Sequence, residues 1–244
     1  MASTFGKTGM IGAVTWRPSQ RLYFVTMDGA PMGGGERSDG APMSHVEQVE
    51  AACAAGIRWI QLRMKRASDQ EMRAAALAAK EICAGYGCML LINDRVDIAA
   101  AVGADGVHLG LQDMSVSQAR RLLGEDRIIG GTANTLEDIR EHYRRGADYI
   151  GLGPCRYTTT KEKLSPVLGL GGYQRIMDQL RREGLTIPVV AIGGIGMEDI
   201  VPLLEVGLYG IAFSGMLVHA GDRREVVRVL EEEIKTYEHA DHSR

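Results

Sequence analysis

Short apolar runs alternate along this chain with longer segments that have an amphipathic pattern. Eight of the short runs are mostly apolar and show no polar face, which predicts strands that are buried on both sides. They span residues 22–26, 59–64, 89–93, 106–110, 128–132, 149–153, 188–193 and 210–214. Helical patterns lie between them, near residues 45–55, 68–84, 95–102, 115–123, 135–145, 172–183, 197–206 and 222–237.

Two of the predicted helices have recognisable starts. Ser68 precedes Glu71 and Thr135 precedes Asp138, a spacing typical of side-chain caps at helix N-termini. Eight strand–helix units in one chain of 244 residues indicate an α/β fold, a single (β/α)8 TIM barrel. The alternative is an open doubly wound sheet, but no Gly-x-Gly-x-x-Gly follows the first predicted strand.

The length and charge of the chain limit the functions to consider. A chain of 244 residues can bury a large core, so it needs neither disulfides nor a structural metal for stability. The net charge of -3 provides no strong basic field for nucleic acid, and the aromatic content of 5% provides few stacking platforms for single strands. We therefore expect small-molecule ligands, with any phosphate site confined to a local positive region.

The cysteines predict a reducing compartment. Cys53, Cys83, Cys88 and Cys155 show neither a CxxC pair nor the spacing of a zinc site, so we expect reduced and mostly buried thiols in a cytoplasmic protein. The sequence also has no signal-peptide pattern and no apolar stretch as long as a membrane span.

Two segments fall outside the alternation of strands and helices. Residues 1–20 are predicted to be a loosely ordered N-terminal tail, residues 21–236 the catalytic barrel, and residues 237–244 a C-terminal tail. Residues 27–44 contain a run of three glycines, but no Gly-Lys-Thr follows it. We interpret this segment as a flexible first loop, either a lid or a plain connector, rather than an anion cradle.

The loop after the sixth predicted strand is rich in groups that bind anions. It reads Gly-Pro-Cys-Arg-Tyr-Thr-Thr-Thr-Lys over residues 153–161, so Thr158, Thr160 and Lys161 follow the C-terminal end of a strand. Hydroxyl groups and an ammonium group in one loop suit a phosphate or a diphosphate. A polar surface loop is the alternative, because threonine and lysine are ordinary residues in such loops.

The second predicted strand also ends with a concentration of charge. Alternation along a strand places Gln61, Arg63 and Lys65 on the same side, so an amide and two cations would converge at the barrel mouth. A solvated surface is the alternative, but the residues before and between these three are apolar, as in a buried strand.

Two carboxylates follow neighbouring strands, Asp94 after the third and Asp113 after the fourth. Carboxylates from adjacent strand ends can share one Mg²⁺ ion, which commonly takes further ligands from substrate phosphate and water. The alternative is that both residues are helix N-caps, a frequent role for aspartate after a strand. The two roles can coexist.

The remaining strand ends add a hydroxyl group and several glycines. Thr132 ends the fifth strand, although a lone threonine is weak evidence for a site. Glycines follow the seventh strand from residue 193 and the eighth at residue 215, where backbone amides bind phosphate in many barrels. Tight turns alone would also explain them. His108, within the fourth strand, is expected to be a hydrogen-bonded core residue rather than a ligand.

Taken in order, these segments resemble the family of thiamine-phosphate synthase and thiazole tautomerase, from about residue 21 to residue 236. Each motif is weak alone, but their order and their places at strand ends are specific. The motifs are Gln-Leu-Arg-Met-Lys at 61–65, Asn-Asp-Arg at 93–95, Asp-Gly-Val-His-Leu-Gly at 105–110 with Asp113, Gly-Gly-Thr-Ala-Asn-Thr at 130–135, Gly-Pro at 153–154 with Thr-Thr-Thr-Lys at 158–161, and Gly-Gly-Ile at 193–195.

The resemblance implies a Mg²⁺-dependent transferase. Its substrates would be 4-amino-2-methyl-5-hydroxymethylpyrimidine diphosphate and thiazole phosphate, and its products thiamine phosphate and diphosphate. The aminopyrimidine ring can stabilise the methylene cation left when diphosphate departs, so that the thiazole nitrogen attacks without any protein nucleophile. Family members are commonly homodimers.

The resemblance also implies a role for each matching residue. The pyrimidine diphosphate would be held by Gln61, Arg63, Lys65, Asn93 and Thr132, and Mg²⁺ by Asp94 and Asp113. The thiazole phosphate would be contacted by Thr158, Thr160, Gly194, Phe213 and Ser214, and the diphosphate by Lys161. The residues that would act in catalysis are Arg63, Lys65, Thr132 and Lys161.

The chain departs from the family pattern in four places. Leu111 stands where the family often has glutamine, while Asp113 keeps its spacing. Thr132 replaces the usual serine, which adds a methyl group beside the pyrimidine. The stretch that leads to Phe213 is slightly shorter than usual, and the glycine-rich segment 27–44 is unlike the family.

Two alternatives stand beside the synthase. The thiazole tautomerase needs a base rather than Mg²⁺, typically lacks Thr-x-Thr-Lys, and carries histidine near the position that Asn134 occupies here. A non-catalytic barrel that binds a phosphate ligand would not need a pair of acidic metal ligands. The intact Thr-x-Thr-Lys motif, Asn134 in place of histidine and the pair of acidic residues therefore all favour the synthase.

Replacing Lys161 tests its predicted contact with the diphosphate. If its ammonium group neutralises the charge that develops on the leaving group, Lys161→Ala lowers turnover by at least about tenfold and weakens thiazole binding less. Steady-state kinetics with both substrates varied would measure this effect. An unchanged kcat would exclude the role.

Overall fold

The computed structural model describes residues 20–29, 42–157 and 166–242. Eight parallel strands form a closed barrel in sequence order, and the last strand pairs with the first. The strands are β1 Leu22–Val25, β2 Trp59–Leu62, β3 Met89–Asn93, β4 Gly106–Leu109, β5 Ile128–Ala133, β6 Tyr149–Leu152, β7 Val189–Ile192 and β8 Gly210–Phe213. The predicted (β/α)8 barrel is confirmed, and most strands end slightly earlier than predicted.

Helices follow the strands and cover the outside of the barrel. The described helices are α1 His45–Ala55, α2 Asp69–Tyr86, α3 Val96–Val102, α4 Val116–Leu123, α5 Leu136–Arg144, α6 Gly169–Glu183, α7 Ile200–Glu205, α8 Gly215–Val218 and α9 Arg223–His242. A 3₁₀ turn, Met197–Asp199, precedes α7. All the predicted helices are present. The short α8 is an addition, and α9 continues into the stretch predicted to be a C-terminal tail.

Side-chain caps determine where several helices begin. The predicted caps Ser68 and Thr135 are confirmed as capping boxes, in which the cap and the acidic residue three positions later each bind the other's backbone N–H. Ser44 and Ser115 begin α1 and α4 in the same way. Each cap satisfies N–H groups that a helix leaves unpaired, so it sets the point at which the chain turns from a strand end into a helix.

The interior of the barrel is filled by side chains from alternate strand positions. This inner core consists of Tyr23, Val25, Trp59, Leu91, Ile128, Tyr149, Val190 and Ala212. Tyr23 stacks on Trp59 with ring centroids 4.0 Å apart, and Trp59 meets Tyr149 edge-on at 4.8 Å. These rings close the barrel beneath the C-terminal strand ends, so a ligand is confined to the mouth.

Two neighbouring glycines of β5 make room for rings on opposite sides of the barrel wall. A Cβ at Gly130 would lie 2.2 Å from the ring of Tyr149 inside the barrel, and a Cβ at Gly131 would lie 2.6 Å from the ring of His142 on α5. His142 Nε2–H donates to the carbonyl oxygen of Thr132 at 2.8 Å. The helix α5 therefore packs directly on the backbone of β5.

The structure describes all four cysteines and the helices whose length and apolar character bear on a membrane span. The four cysteines are buried free thiols, as expected, and the Sγ atoms of Cys53 and Cys83 lie 4.0 Å apart. Among the described helices, none combines the length and the apolar character needed to cross a lipid bilayer.

Gly130→Ala tests the close packing inside β5. The added methyl group would overlap the ring of Tyr149, and we expect it to lower the free energy of unfolding by about 1–3 kcal/mol. Gly85→Ala in α2 is the matched control, because a Cβ there meets no atom within 4 Å. Alanine favours a helix over glycine by about 0.5–1 kcal/mol, so this control should be slightly stabilised. Chemical denaturation of both variants would measure the difference, and equal stabilities would contradict the packing.

Candidate active site

The structure brings the polar residues at the end of β2 to the barrel mouth. Gln61 is buried, and its Nε2–H donates to the hydroxyl of Tyr23 at 2.6 Å. Lys65 Nζ pairs with a carboxylate oxygen of Asp94, and Arg63 also interacts with that carboxylate. The amide and the two cations therefore share one side of the strand and its continuation, as the alternation predicts.

Asp94 and Asp113 lie together at the ends of β3 and β4. The carboxyl group of Asp94 interacts with that of Asp113 and forms an ion pair with Lys65 Nζ. The pKa of Asp94 is raised to about 6, chiefly because burial disfavours its charge and because Asp113 binds to it, while Lys65 opposes the rise. Two carboxyl groups in contact need a proton or a cation between them.

Two features of the backbone accompany these carboxylates, a left-handed conformation at Asp94 and a glycine at residue 110. Among the described residues, Asp94 alone combines a side chain with a left-handed backbone, at φ 62°. Such conformations cost about 1–3 kcal/mol and cluster at functional sites. Asp113 Oδ2 accepts the N–H of Gly110 at 2.6 Å, and a Cβ at residue 110 would lie only 2.7 Å from that oxygen. Glycine at 110 therefore permits the close approach.

The alternative interpretation of the two aspartates as helix N-caps is wrong. The cap of α4 is Ser115, which forms a capping box with Gln118. The cap position of α3 is Arg95, whose side chain makes no capping hydrogen bond. Neither Asp94 nor Asp113 therefore caps a helix, and the two carboxyl groups interact with each other instead.

Asp28 is a site residue that sequence reasoning missed. It follows β1, its Oδ2 lies 3.9 Å from Arg63 Nη1, and it accepts the backbone N–H of Lys65 at 3.3 Å. Its Oδ1 lies 3.2 Å from Nε2 of His45, whose Nδ1 lies 3.0 Å from Thr26 Oγ1. Burial lowers the pKa of Arg63, and Asp28 opposes this shift. An acidic residue just after a strand end was the available signal.

A row of hydrogen-bonded side chains crosses the barrel beneath the mouth. Tyr23 and Tyr149 have hydroxyl oxygens 2.8 Å apart, and His108 Nδ1 lies 2.8 Å from the Tyr149 hydroxyl. His108 Nε2 lies 2.9 Å from Thr132 Oγ1. The prediction of a hydrogen-bonded core histidine is confirmed. We name this set, Gln61–Tyr23–Tyr149–His108–Thr132, the inner polar network.

The inner polar network ends in two predicted ligand-binding residues. Gln61 stands at one end of it and Thr132 at the other, on β2 and β5. Asn93 is buried at the end of β3 and lies on the inward face, because it is two residues from Leu91 of the inner core. All three residues therefore border the mouth from the inside.

The loops after β6 and β7 contact each other through close packing and ion pairs. Gly193 and Gly194 have φ values of 92° and 69°, a left-handed backbone that favours glycine and agrees with a turn at this point. A Cβ at Gly194 would lie 2.9 Å from the Cβ of Arg156. The guanidinium group of Arg156 pairs with Glu198 at 2.6 Å and with Asp199 at 2.7 Å. The backbone after β7 therefore packs against the segment that leads to residue 158.

The end of β8 offers mainly backbone to the mouth. The ring of Phe213 belongs to the outer core and packs against Phe24 with centroids 6.4 Å apart. Ser214 follows it at the start of the short α8. A role for Phe213 at the mouth is therefore limited to its backbone groups, as the resemblance implies.

Three predicted site residues, Thr158, Thr160 and Lys161, lie outside the described residues. Within residues 20–29, 42–157 and 166–242, no group of three or more His, Cys, Asp or Glu side chains could hold a metal ion. Asp94 and Asp113 form a pair, and a metal bound there would take its other ligands from water or substrate.

Comparison with known proteins agrees with this geometry. A family model described as thiamine monophosphate synthase matches residues 22–217. The chain belongs to this family. A thiamine-phosphate synthase of Bacteroides fragilis is 50% identical over 188 residues, which are 77% of this chain and 92% of that protein. Another of Chloroflexus aurantiacus is 39% identical over 210 residues, which are 86% of this chain and 90% of that protein.

A solved structure extends the likeness to the fold. Thiamine phosphate pyrophosphorylase from Pyrococcus furiosus is 31% identical with a TM-score of 0.75, covering 90% of this chain and 98% of that chain. The predicted family and the predicted enzyme class are confirmed, and the chain is a transferase. The names of these relatives favour the synthase over the tautomerase.

The raised pKa of Asp94 predicts a dependence of stability on pH. The folded state binds this proton more tightly than the unfolded chain, whose aspartate has the ordinary pKa of 3.8. The resulting stabilisation is complete below about pH 4 and is lost as the pH rises through about 6. In urea unfolding with a chelator between pH 5 and 7.5, wild type should lose stability relative to Asp94→Asn.

Asp97→Asn is the control for this titration. Asp97 lies three residues further along, and its ion pair with Arg95 keeps the pKa of its carboxyl below the ordinary value. It is ionised across the whole interval, so the variant should follow the pH dependence of wild type. Parallel curves for wild type and Asp94→Asn would contradict the assignment.

Proposed function

We propose that this transferase joins 4-amino-2-methyl-5-hydroxymethylpyrimidine diphosphate to thiazole phosphate and releases thiamine phosphate and diphosphate. The observation that carries the proposal is the cluster of Lys65, Arg63, Asp94 and Asp113 at the mouth of the barrel. It combines cations that suit a departing diphosphate with the oxygen ligands that suit a hard divalent ion.

The pair of aspartates fits a magnesium ion. Asp113 interacts with the partly buried carboxyl group of Asp94, and a divalent cation could replace the proton that such a contact requires. Mg²⁺ prefers oxygen ligands and is commonly held by one or two carboxylates and substrate phosphates. When bound, it would withdraw charge from the phosphate oxygens of the leaving group.

The residues of the mouth would act mainly by position and charge. The bond between the pyrimidine methylene carbon and the diphosphate oxygen breaks, and its electron pair leaves with the diphosphate. Arg63 and Lys65 would hold the developing negative charge, with Lys161 as the third cation predicted from the sequence. The aminopyrimidine ring stabilises the methylene cation, and the thiazole nitrogen then forms the new carbon–nitrogen bond. No side chain needs to act as a nucleophile.

The thiazole phosphate would bind on the other side of the mouth. Gly194 and Ser214 stand after β7 and β8, where barrels commonly hold a phosphate with backbone amides. The backbone of Phe213 would contribute to the same site, and Thr158 and Thr160 are assigned to it by resemblance. The two substrates would then meet above the inner polar network.

Incubating the purified chain with both substrates, with and without Mg²⁺, tests the proposed reaction. Formation of thiamine phosphate and diphosphate only in the presence of Mg²⁺ would support it. Isomerisation of the thiazole substrate without Mg²⁺ would identify a tautomerase instead. Binding of a phosphate ligand without turnover would identify a non-catalytic barrel.

Asp94→Asn and Asp113→Asn test the metal site. Each variant loses one anionic oxygen ligand, and we expect kcat/KM to fall by roughly a hundredfold or more at a fixed Mg²⁺ concentration. Asp97→Asn is the matched control, because Asp97 pairs with Arg95 at the surface and should leave activity unchanged. Magnesium titrations of the turnover rate would measure the effect, and wild-type Mg²⁺ dependence in both ligand variants would remove the metal assignment.

The cytoplasmic setting and a homodimer stay predictions from the sequence. Four buried free thiols suit a reducing compartment. The partners that we propose are the two small-molecule substrates, with no nucleic acid and no membrane.

A further inference from the structure

The inner polar network can be followed atom by atom across the barrel. Gln61 Nε2 lies 2.6 Å from the Tyr23 hydroxyl, which lies 2.8 Å from the Tyr149 hydroxyl. His108 then bridges Tyr149 and Thr132, at 2.8 Å from Nδ1 and 2.9 Å from Nε2. The network therefore connects two residues of the mouth through three groups that lie beneath it.

The donors and acceptors of the network can be assigned in order, because each hydroxyl group has only one hydrogen to donate. Burial raises the pKa of Tyr23 and of Tyr149, so each phenol stays neutral and has one hydrogen to donate. Gln61 Nε2–H donates to Tyr23, which leaves the Tyr23 hydrogen for Tyr149. Tyr149 then donates to Nδ1 of His108, and with Nδ1 as the acceptor the ring carries its hydrogen on Nε2, which donates to Thr132.

This direction determines what each end presents to a ligand. Gln61 is left with its carbonyl oxygen, an acceptor, and Thr132 is left with its hydroxyl hydrogen, a donor. In the described part of the chain, neither of these two groups has another hydrogen-bond partner. Two sides of the mouth therefore show opposite and defined hydrogen-bonding character.

The rings in the network are held in place by the packing around them. Gly130 leaves the space for the ring of Tyr149, and a Cβ at Gly151 would lie 2.9 Å from Cε1 of His108. Trp59 stacks on Tyr23 and meets the edge of Tyr149. Because the rings cannot move aside, the network can change its direction only by reversing every hydrogen bond together.

We propose that Tyr23, Tyr149 and His108 are positioning residues that make the pocket select an aminopyrimidine edge over the corresponding oxopyrimidine edge. The inference rests on the proposed function and on the roles that the resemblance gives to Gln61 and Thr132, with the pyrimidine between them. A 4-aminopyrimidine between them offers its amino donor to Gln61, and the ring nitrogen opposite the amino carbon offers an acceptor to Thr132. The 4-oxo analogue has a carbonyl acceptor in place of the amino donor, so it no longer matches Gln61.

The cost of the wrong ligand explains the selection. An oxo analogue would set its carbonyl oxygen against the carbonyl oxygen of Gln61, and reversing the whole network to relieve this repulsion would take the hydroxyl hydrogen of Thr132 away from the ring nitrogen. Turning the Gln61 amide alone would bring its oxygen against the hydroxyl oxygen of Tyr23, whose only hydrogen is already donated to Tyr149. The remaining bonds of the network would then have to reverse as well. Sites built around such polar groups reject the mismatched ligand strongly.

Tyr149→Phe cuts the network in the middle and keeps the ring. Gln61 with Tyr23, and His108 with Thr132, would then be free to turn as separate pairs. We expect the ratio of kcat/KM for the 4-amino substrate to kcat/KM for its 4-oxo analogue to be at least about a hundredfold in wild type. In Tyr149→Phe this ratio should fall by roughly tenfold or more, because the mismatch can be relieved.

Tyr173→Phe is the matched control. Tyr173 on α6 is equally buried, and its hydroxyl donates to the carbonyl oxygen of Leu152 at 2.8 Å, outside the network. Its removal should leave the selectivity ratio within about twofold of wild type. An equal ratio in Tyr149→Phe and Tyr173→Phe, with the amino substrate still converted, would overturn the inference and leave the proposed function intact.

Nitrogen-15 NMR of wild type with labelled histidine tests the direction without any substrate. The signal of His108, identified by its loss in His108→Gln, should show a protonated Nε2 and an unprotonated Nδ1. The opposite tautomer, or a doubly protonated ring, would overturn the inference. If wild type fails to convert the amino substrate, the proposed function falls, and the tautomer alone decides the direction of the network.

Discussion

The pairing of β1 with β8 is the constraint on which the rest of the molecule depends. Once the parallel ladder closes, alternate residues of every strand point inward and all carboxyl ends share one mouth. Lys65 and Asp94, which lie on different strand–helix units, become ion-pair partners for this reason. The same closure limits the interior volume, which the rings of Tyr23, Trp59 and Tyr149 largely occupy.

Several features of Asp94 at the barrel mouth lower the stability of the folded state. Asp94 has a left-handed backbone, a partly buried carboxyl group and a second carboxyl group in contact, all of which disfavour the folded state. The apolar layer between barrel and helices, together with the inner core, compensates for this cost. A site that is held in an unfavourable arrangement by the surrounding fold is already organised before a ligand arrives.

Much of the barrel was predictable because a strand covered on both faces needs a continuous apolar run. The short α8 was not, since four residues carry no helical period. Asp113 and Ser115 are both good N-caps, so only the hydrogen bonds in the structure show that Ser115 caps α4. Asp28 was overlooked because it opens a glycine-rich segment. The inner polar network depends on the register between several strands, and alternation along one strand does not contain that information.

Thr132 is held from both sides of the barrel wall. His108 reaches its hydroxyl from the interior, while His142 reaches its carbonyl oxygen from α5. Because residues 130 and 131 are glycines, the rings of Tyr149 and His142 contact the backbone of β5 directly from its two sides. A small tilt of α5 on the outer surface would thus be transmitted through the single ring of His142 to the backbone of Thr132, and from there to the hydroxyl group that His108 contacts inside the barrel.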